Sequence, residues 1–200
     1  MFMVNYLSKF IFINLLFSAS LRLRGEQKLF DQPDNREKIQ RIIFITSESH
    51  RNPKEFNWDD FGKYREYGIS KSVELYGYYK LYLVTFAREL SRRLNRDGHS
   101  GLSVFALCPG PVNSNIAREA PVIFKPLLRI IFSIFFRSPA KAAAPAIYLA
   151  ASKEEEGKPF DYLFLMNHKA IDPKAEDPEN GSKLWELSEE LVKHLTLAFQ

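Results

Sequence analysis

Three short apolar runs limit what this chain can fold into. They are Arg41–Thr46 (RIIFIT), Leu102–Leu107 (LSVFAL) and Phe160–Leu165 (FDYLFL), and none of them has helical period. Consecutive apolar and β-branched positions fit strands buried on both faces, as in a parallel sheet. Between the first two runs, Leu75, Tyr79, Leu83, Phe86, Leu90 and Leu94 recur at helical spacing, with Arg88, Glu89, Arg92 and Arg93 on the remaining surface. That pattern predicts a helix over 75–94, stopped by the turn residues Asn95-Arg-Asp-Gly98. Pro139–Ala151 is alanine-rich and reads as a second helix that Pro145 would bend or restart. Asp177-Pro178-Glu-Asn-Gly181 reads as a turn ahead of a final helix over 182–197, striped with Leu184, Leu187, Leu191 and Leu195. Strand and helix in alternation imply parallel βαβ units with right-handed crossovers. The expected class is α/β, half of a doubly wound parallel sheet with about three strands flanked by helices.

Composition removes several function classes. The 28 Lys+Arg against 24 Asp+Glu leave a formal charge of +4, too small an excess for a dedicated nucleic-acid binder. One cysteine, Cys108, allows neither an internal disulfide framework nor a thiolate zinc cage, and fits a reducing, cytoplasmic setting. The histidines His50, His99, His168 and His194 show no metal-ligand spacing, so no metal is expected. The first 21 residues read in two ways. Lys9 ahead of Phe10–Phe17, with Ser18-Ala19-Ser20 after it, has the look of a signal peptide. The same residues would also make a helix buried on nearly every face. Asn14 interrupts a run already shorter than the roughly 20 apolar residues a membrane span needs.

In doubly wound sheets, ligands sit beyond the carboxyl ends of the strands. Ser47 directly follows the first strand, where a serine is ordinarily a turn or cap residue. Pro109-Gly110-Pro111-Val112 follows the second strand. Tyr76 and Lys80 open the long helix, one turn apart and on one face. That pairing has a chemical use. A free phenol holds its proton at neutral pH, with a pKa near 10. A nearby ammonium would lower that value and make the tyrosine a usable acid or base. A serine hydroxyl close by could stabilise charge on a substrate oxygen. The pattern is cheap in a chain with nine tyrosines, and Tyr67-Gly-Ile-Ser-Lys71 repeats it.

Together these pieces resemble the short-chain dehydrogenase/reductase family, in its retinol-dehydrogenase-like branch. The resemblance runs through Ile45-Thr46-Ser47 with His50, Tyr76-Gly-Tyr-Tyr-Lys80 leading into Phe86-Ala-Arg-Glu-Leu90, Cys108-Pro-Gly-Pro-Val112-Asn-Ser114, and Lys183-Leu-Trp185-Glu-Leu-Ser188. Spacing favours Tyr76/Lys80 over Tyr67/Lys71. From Lys80 to Pro109 there is room for one helix, a turn and a strand. From Lys71 the stretch is too long, and it would place Gly77 inside the helix at a cost of about 1 kcal/mol relative to alanine.

The resemblance implies a single Rossmann-type domain over 1–200, incomplete against the family pattern. Within it, 1–23 would be the family's fourth helix at an interface, 41–151 the catalytic core, 115–138 a substrate flap, and 158–200 the last strand and C-terminal helix. It further implies that Ser47, Tyr76, Lys80 and Asn5 are catalytic. NAD or NADP would be bound by Tyr76, Lys80, Pro109, Gly110, Val112 and Ser114. The Phe/Ile/Leu-rich stretch 121–137 implies a bulky apolar substrate such as a lipid, steroid or retinoid. Its Lys125, Arg129 and Arg137 also suit contact with a membrane surface, at the cytosolic face of an internal membrane. Helices near 1–20 and 72–95 would form a homo-oligomer. The sequence holds no Thr-Gly-x-x-x-Gly-x-Gly turn to bring backbone amides to a pyrophosphate. A truncated gene model, inactive by itself, and a non-catalytic remnant that pairs with an intact paralogue are both compatible with that departure. Without the remaining strands, the first strand would expose an apolar edge.

Overall fold

The computed structural model describes residues 1–22, 40–63, 68–96, 102–113 and 136–198. A short π-helical turn, Met3–Leu7, runs into α1, Ser8–Arg22. Then come β1 (Gln40–Ile45), a 3-10 turn (Glu48–Arg51), α2 (Ile69–Arg96) and β2 (Leu102–Cys108). Helix α3 (Pro139–Ala151) precedes β3 (Phe160–Phe164) and β4 (Asn167–His168), and α4 (Pro173–Glu176) and α5 (Pro178–Ala198) close the chain.

The sheet order is β1-β2-β3-β4. The first three strands are parallel, with Ile43 opposite Phe105 and Leu107 opposite Leu163, as the α/β reading expects. The fourth is a two-residue antiparallel addition that the sequence reading did not contain. Leu165 is not in β3. It sits in the turn to β4 with φ 61°, a left-handed conformation that ends the strand.

β2 is buried at every position. One face of the sheet packs on α1, α2 and α5 through Tyr6, Phe10, Phe44, Phe86, Leu90, Leu184 and Trp185. The other packs on α3 through Phe105, Leu107, Leu149 and Leu163. Arg41 fastens β1 to the end of α3, donating to the carbonyls of Leu149 and Ser152 at 2.7 Å each. Carbonyls in a last helical turn lack intrahelical donors, and a guanidinium supplies them.

Two helix expectations are corrected, and a third, over Pro139–Ala151, holds. α2 begins at Ile69, earlier than 75, so Gly77 lies well within it and does not separate the two Tyr/Lys pairs. α5 begins at Pro178, so Pro178–Gly181 are a first helical turn and not a separate one. The Asp177 carboxylate accepts from the Glu179 amide at 2.9 Å, and proline needs no donor at that position. α3 is not restarted by Pro145. It begins at Pro139, capped by Ser138.

Candidate active site

The carboxyl ends of β1 and β2 are tied together by Thr46. Its amide and its hydroxyl both donate to the Leu107 carbonyl, at 2.6 and 2.9 Å. The next residue, Ser47, is extended (φ −154°, ψ 148°) and caps the 3-10 turn. Its Oγ accepts from the Ser49 amide at 3.2 Å and donates to Ser49 Oγ at 3.1 Å. The cap role therefore falls on the hydroxyl that the sequence reading offered as a site residue.

Helix α2 brings Tyr76 and Lys80 to the same place. Both are partly buried. Burial pushes the Tyr76 phenol up, and the neighbouring Ser47 side chain, which favours the ionised form, offsets only part of that. That reverses the expected lowering by Lys80. The Lys80 ammonium lies over the Tyr76 ring, 5.3 Å from its centroid, and donates to the Ile45 carbonyl at 3.4 Å. Burial, and then the charge of Lys9, depress the Lys80 ammonium. In this state Tyr76 holds its proton at neutral pH, and its apolar surroundings outweigh the cation stacked on its ring.

Gly77 explains the close approach of the two elements. A β-carbon there would sit 3.1 Å from the Ser49 carbonyl oxygen and 3.5 Å from Asn52 Cβ. The sequence reading treated this glycine as a cost to be kept out of the helix. The structure uses it to seat the Ser47 turn against α2.

After β2, Pro109 and Gly110 leave the sheet. Gly110 has φ 74°, and a β-carbon there would meet Leu165 Cδ2 at 2.6 Å, so both backbone and space call for glycine. Val112 forms a parallel bridge with Arg137, and Asn113 N donates to the Arg137 carbonyl at 2.8 Å. Val112 and Asn113, ahead of the 115–138 flap expectation, are thus set beside Arg137. Ser114 and residues 115–135, including nearly all of 121–137, lie outside the described residues, as does Tyr67.

Asn5 sits in the π-helical turn and gives its side-chain amide to the Met1 carbonyl at 3.1 Å. The residue that carries α1 electrostatically to the site is Lys9, which the sequence reading placed only in the signal-peptide pattern. Tyr6, Leu7, Phe10 and Ile13 are buried while Val4, Phe12 and Leu15 are exposed, so the segment packs on the core along one face and is not buried on nearly every face as expected. No helix among the described residues is long and apolar enough to cross a membrane.

The fold also gathers Glu155, Asp161 and His168, whose ligand atoms lie within 4.8 Å of one another. Spacing along the chain gave no sign of this. Lys158 Nζ lies 3.0 Å from Glu155 Oε1 and 3.6 Å from Asp161 Oδ2, so the chain's own ammonium bridges the two carboxylates.

No family model matches the chain. Curated proteins do. Human Retinol dehydrogenase 14 is 32% identical over 193 residues, covering 96% of this chain and 51% of its own. Human Retinol dehydrogenase 13 is 33% identical over 199 residues, 96% of this chain and 53% of its own. The relatives it matches include members of the short-chain dehydrogenase/reductase family. A fungal short-chain dehydrogenase/reductase, dpmpH of Macrophomina phaseolina (strain MS6), shares 32% over 124 residues, 59% of each chain. The chain thus spans about half the length of the retinol dehydrogenases it matches. Among solved structures, an uncharacterised protein from Mycobacterium Paratuberculosis superposes with a TM-score of 0.52 at 23% identity, over 77% of this chain and 50% of that one. At that identity the superposition supports the fold alone, an α/β arrangement consistent with part of a Rossmann-type sheet.

Proposed function

We propose that this chain carries the proton-transfer half of an NAD(P)-dependent alcohol/carbonyl oxidoreductase acting on a bulky apolar substrate. The observation behind the reading is the meeting of Ser47, Tyr76 and Lys80 beyond the carboxyl ends of β1 and β2. In reduction, Tyr76 gives its proton to the carbonyl oxygen while Ser47 holds that oxygen by hydrogen bonding. Burial keeps the phenol protonated and so poises it as the acid. In oxidation the same atoms run backwards, with the alcohol proton passing to Tyr76. A nicotinamide dinucleotide, when bound, supplies or takes the hydride at the substrate carbon.

The residues present fit one end of that cofactor. Lys80 and Tyr76 offer donors that suit ribose hydroxyls, and Pro109, Gly110 and Val112 line the exit from β2. The sequence supplies no Gly-rich turn for the pyrophosphate. NADH and NADPH binding by saturation-transfer NMR tests this reading. Nicotinamide and ribose protons should receive saturation and adenine protons should not, and Lys80→Met should remove the effect. Equal saturation of adenine, or indifference to Lys80→Met, would overturn the reading. Any turnover of a retinoid or other apolar aldehyde should fall by about 10²- to 10⁴-fold in Tyr76→Phe. Asn5 is assigned a supporting role through its helix, and the 121–137 stretch supplies the apolar preference and a membrane-surface contact on the cytosolic side.

A second reading has its own support. Val4, Phe12, Leu15 and Val73 are each more than 60% exposed on the π-turn, α1 and the start of α2. An apolar surface of that kind suits association with a second copy or an intact paralogue. Native mass spectrometry should find a dimer that Phe12→Glu dissociates. A monomer at all concentrations would remove this reading.

A further inference from the structure

We propose that His50 is the positioning residue of the Ser47 hydroxyl, holding it toward Tyr76 by a hydrogen-bonded link to the segment after β4. The inference rests on Ser47 being the site's hydroxyl, and its test does not require turnover.

His50 is fully buried. Its Nδ1 lies 2.7 Å from the Ser47 carbonyl oxygen, and its Nε2 lies 3.3 Å from the backbone nitrogen of Asp172. An amide N–H can only donate, so Nε2 must present its lone pair. The proton then belongs to Nδ1, which donates to Ser47. The neighbours therefore dictate both the tautomer and the neutral charge state. Burial, the largest influence on the imidazole, pushes its pKa down in the same sense.

The Ser47 carbonyl receives two donors from this one residue, the imidazole and the His50 amide at 3.1 Å. Fixing that carbonyl fixes ψ of Ser47, and with it the start of the turn on which the hydroxyl is mounted. The other end of the link is held as firmly. The His50 ring meets Tyr162 edge-on at 5.4 Å, and the Tyr162 hydroxyl donates to Glu48 Oε1 at 2.6 Å. Arg51 donates to the Ala170 carbonyl. A leucine of similar volume could fill the pocket. It would leave the Asp172 amide buried without an acceptor and Ser47 without its side-chain tie.

The test reads the Tyr76 Cζ resonance in protein labelled at tyrosine Cζ, assigned by Tyr76→Phe, at neutral pH. That resonance responds to hydrogen bonding at the phenol oxygen. Ser47→Ala should displace it, and His50→Phe, which keeps a ring against Tyr162, should displace it in the same direction. The double variant should move it no further than Ser47→Ala does. His50→Asn, whose amide takes the place of Nδ1–H, should return it toward the wild-type position. A folded His50→Phe with an unmoved resonance, or displacements that add in the double variant, would overturn the proposal.

Where His50→Phe does not fold, His50→Asn carries the test. A displacement as large as that of Ser47→Ala then overturns the proposal, and a wild-type position supports it. The ¹⁵N spectrum of the wild-type imidazole decides the tautomer independently: a proton on Nε2 refutes the link. Coupling without any cofactor binding would leave the positioning role standing and remove the oxidoreductase reading. Cofactor binding without coupling would do the opposite.

Discussion

β1 and β2 are neighbours in one sheet, yet they are held in place by different means. β2 is enclosed on both faces and paired along both edges, and every residue in it is buried. Among the described residues β1 pairs only with β2, and Ile45 at its end is 50% exposed. Ser47 follows the open strand. Its geometry is fixed by side chains: Thr46 on the Leu107 carbonyl, His50 on the Ser47 carbonyl, and Glu48 under Tyr162. The enclosed strand supplies stability, whereas the open one depends on a polar clasp to aim its last residue.

The contrast predicts that the largest loss comes from β2. Phe105 is fully buried opposite Ile43, and Phe105→Ala should cost about 3–5 kcal/mol, read as a lowered denaturation midpoint. A cost below about 1 kcal/mol would mean that β2 is not the centre of the core.

The clasp comes next. Tyr162→Phe keeps the buried ring and removes only the hydroxyl that donates to Glu48 at 2.6 Å. The expected loss is about 1.5 kcal/mol, at the low end for a bond to a charged acceptor, because Lys169 and Arg51 still hold that carboxylate. Gly77→Ala sets two effects against each other. Helix propensity favours alanine by about 1 kcal/mol. The added methyl meets a backbone oxygen at 3.1 Å, and crowding of a packed contact costs about 1–3 kcal/mol. We expect a net loss of about 1 kcal/mol from these opposing terms, together with a displaced Tyr76 Cζ resonance. A more stable variant would show that the Ser47 turn yields easily.

What the sequence made legible follows the same division. Apolar runs and helical periodicity are local signals, and they located β1, β2, β3 and the body of α2 correctly. That Ser47, Tyr76 and Lys80 come together was legible because strand ends and one-turn spacing are local too. The clasp was not. Tyr162 and Glu48 are far apart in the chain, and so are His50 and Asp172; no periodicity connects them. Gly77 was misread for the opposite reason. Propensity speaks of the helix in isolation, whereas this glycine answers to the Ser49 carbonyl. The Tyr76 expectation failed because a Tyr-x-x-x-Lys pattern reports the neighbouring charge but not the depth of burial.

Acid should loosen the clasp gradually. His50 has a folded pKa below its ordinary value near 6.5, so the unfolded chain takes up its proton first. Its contribution is complete above that value and is lost as pH falls through the folded pKa. Arg51, Glu48 and Asp172 are the charges that face it. A denaturation midpoint that falls with acid over this window, and falls less in His50→Phe, would locate part of the acid sensitivity at the clasp. Equal slopes in both proteins would place it elsewhere.

The smallest effect on stability belongs to the open strand, and it sharpens the comparison most. Ile45→Thr alters a half-exposed side chain and keeps the β-branch that suits a strand, so stability should change by no more than about 0.5 kcal/mol. An unpaired apolar edge is also a template for another strand. The same substitution should therefore lower self-association at high concentration, measured by sedimentation velocity, while leaving the denaturation midpoint in place. If the midpoint instead falls as far as it does in Tyr162→Phe, then Ile45 is packed in solution. β1 would then be enclosed like β2, and the clasp would not be what holds Ser47.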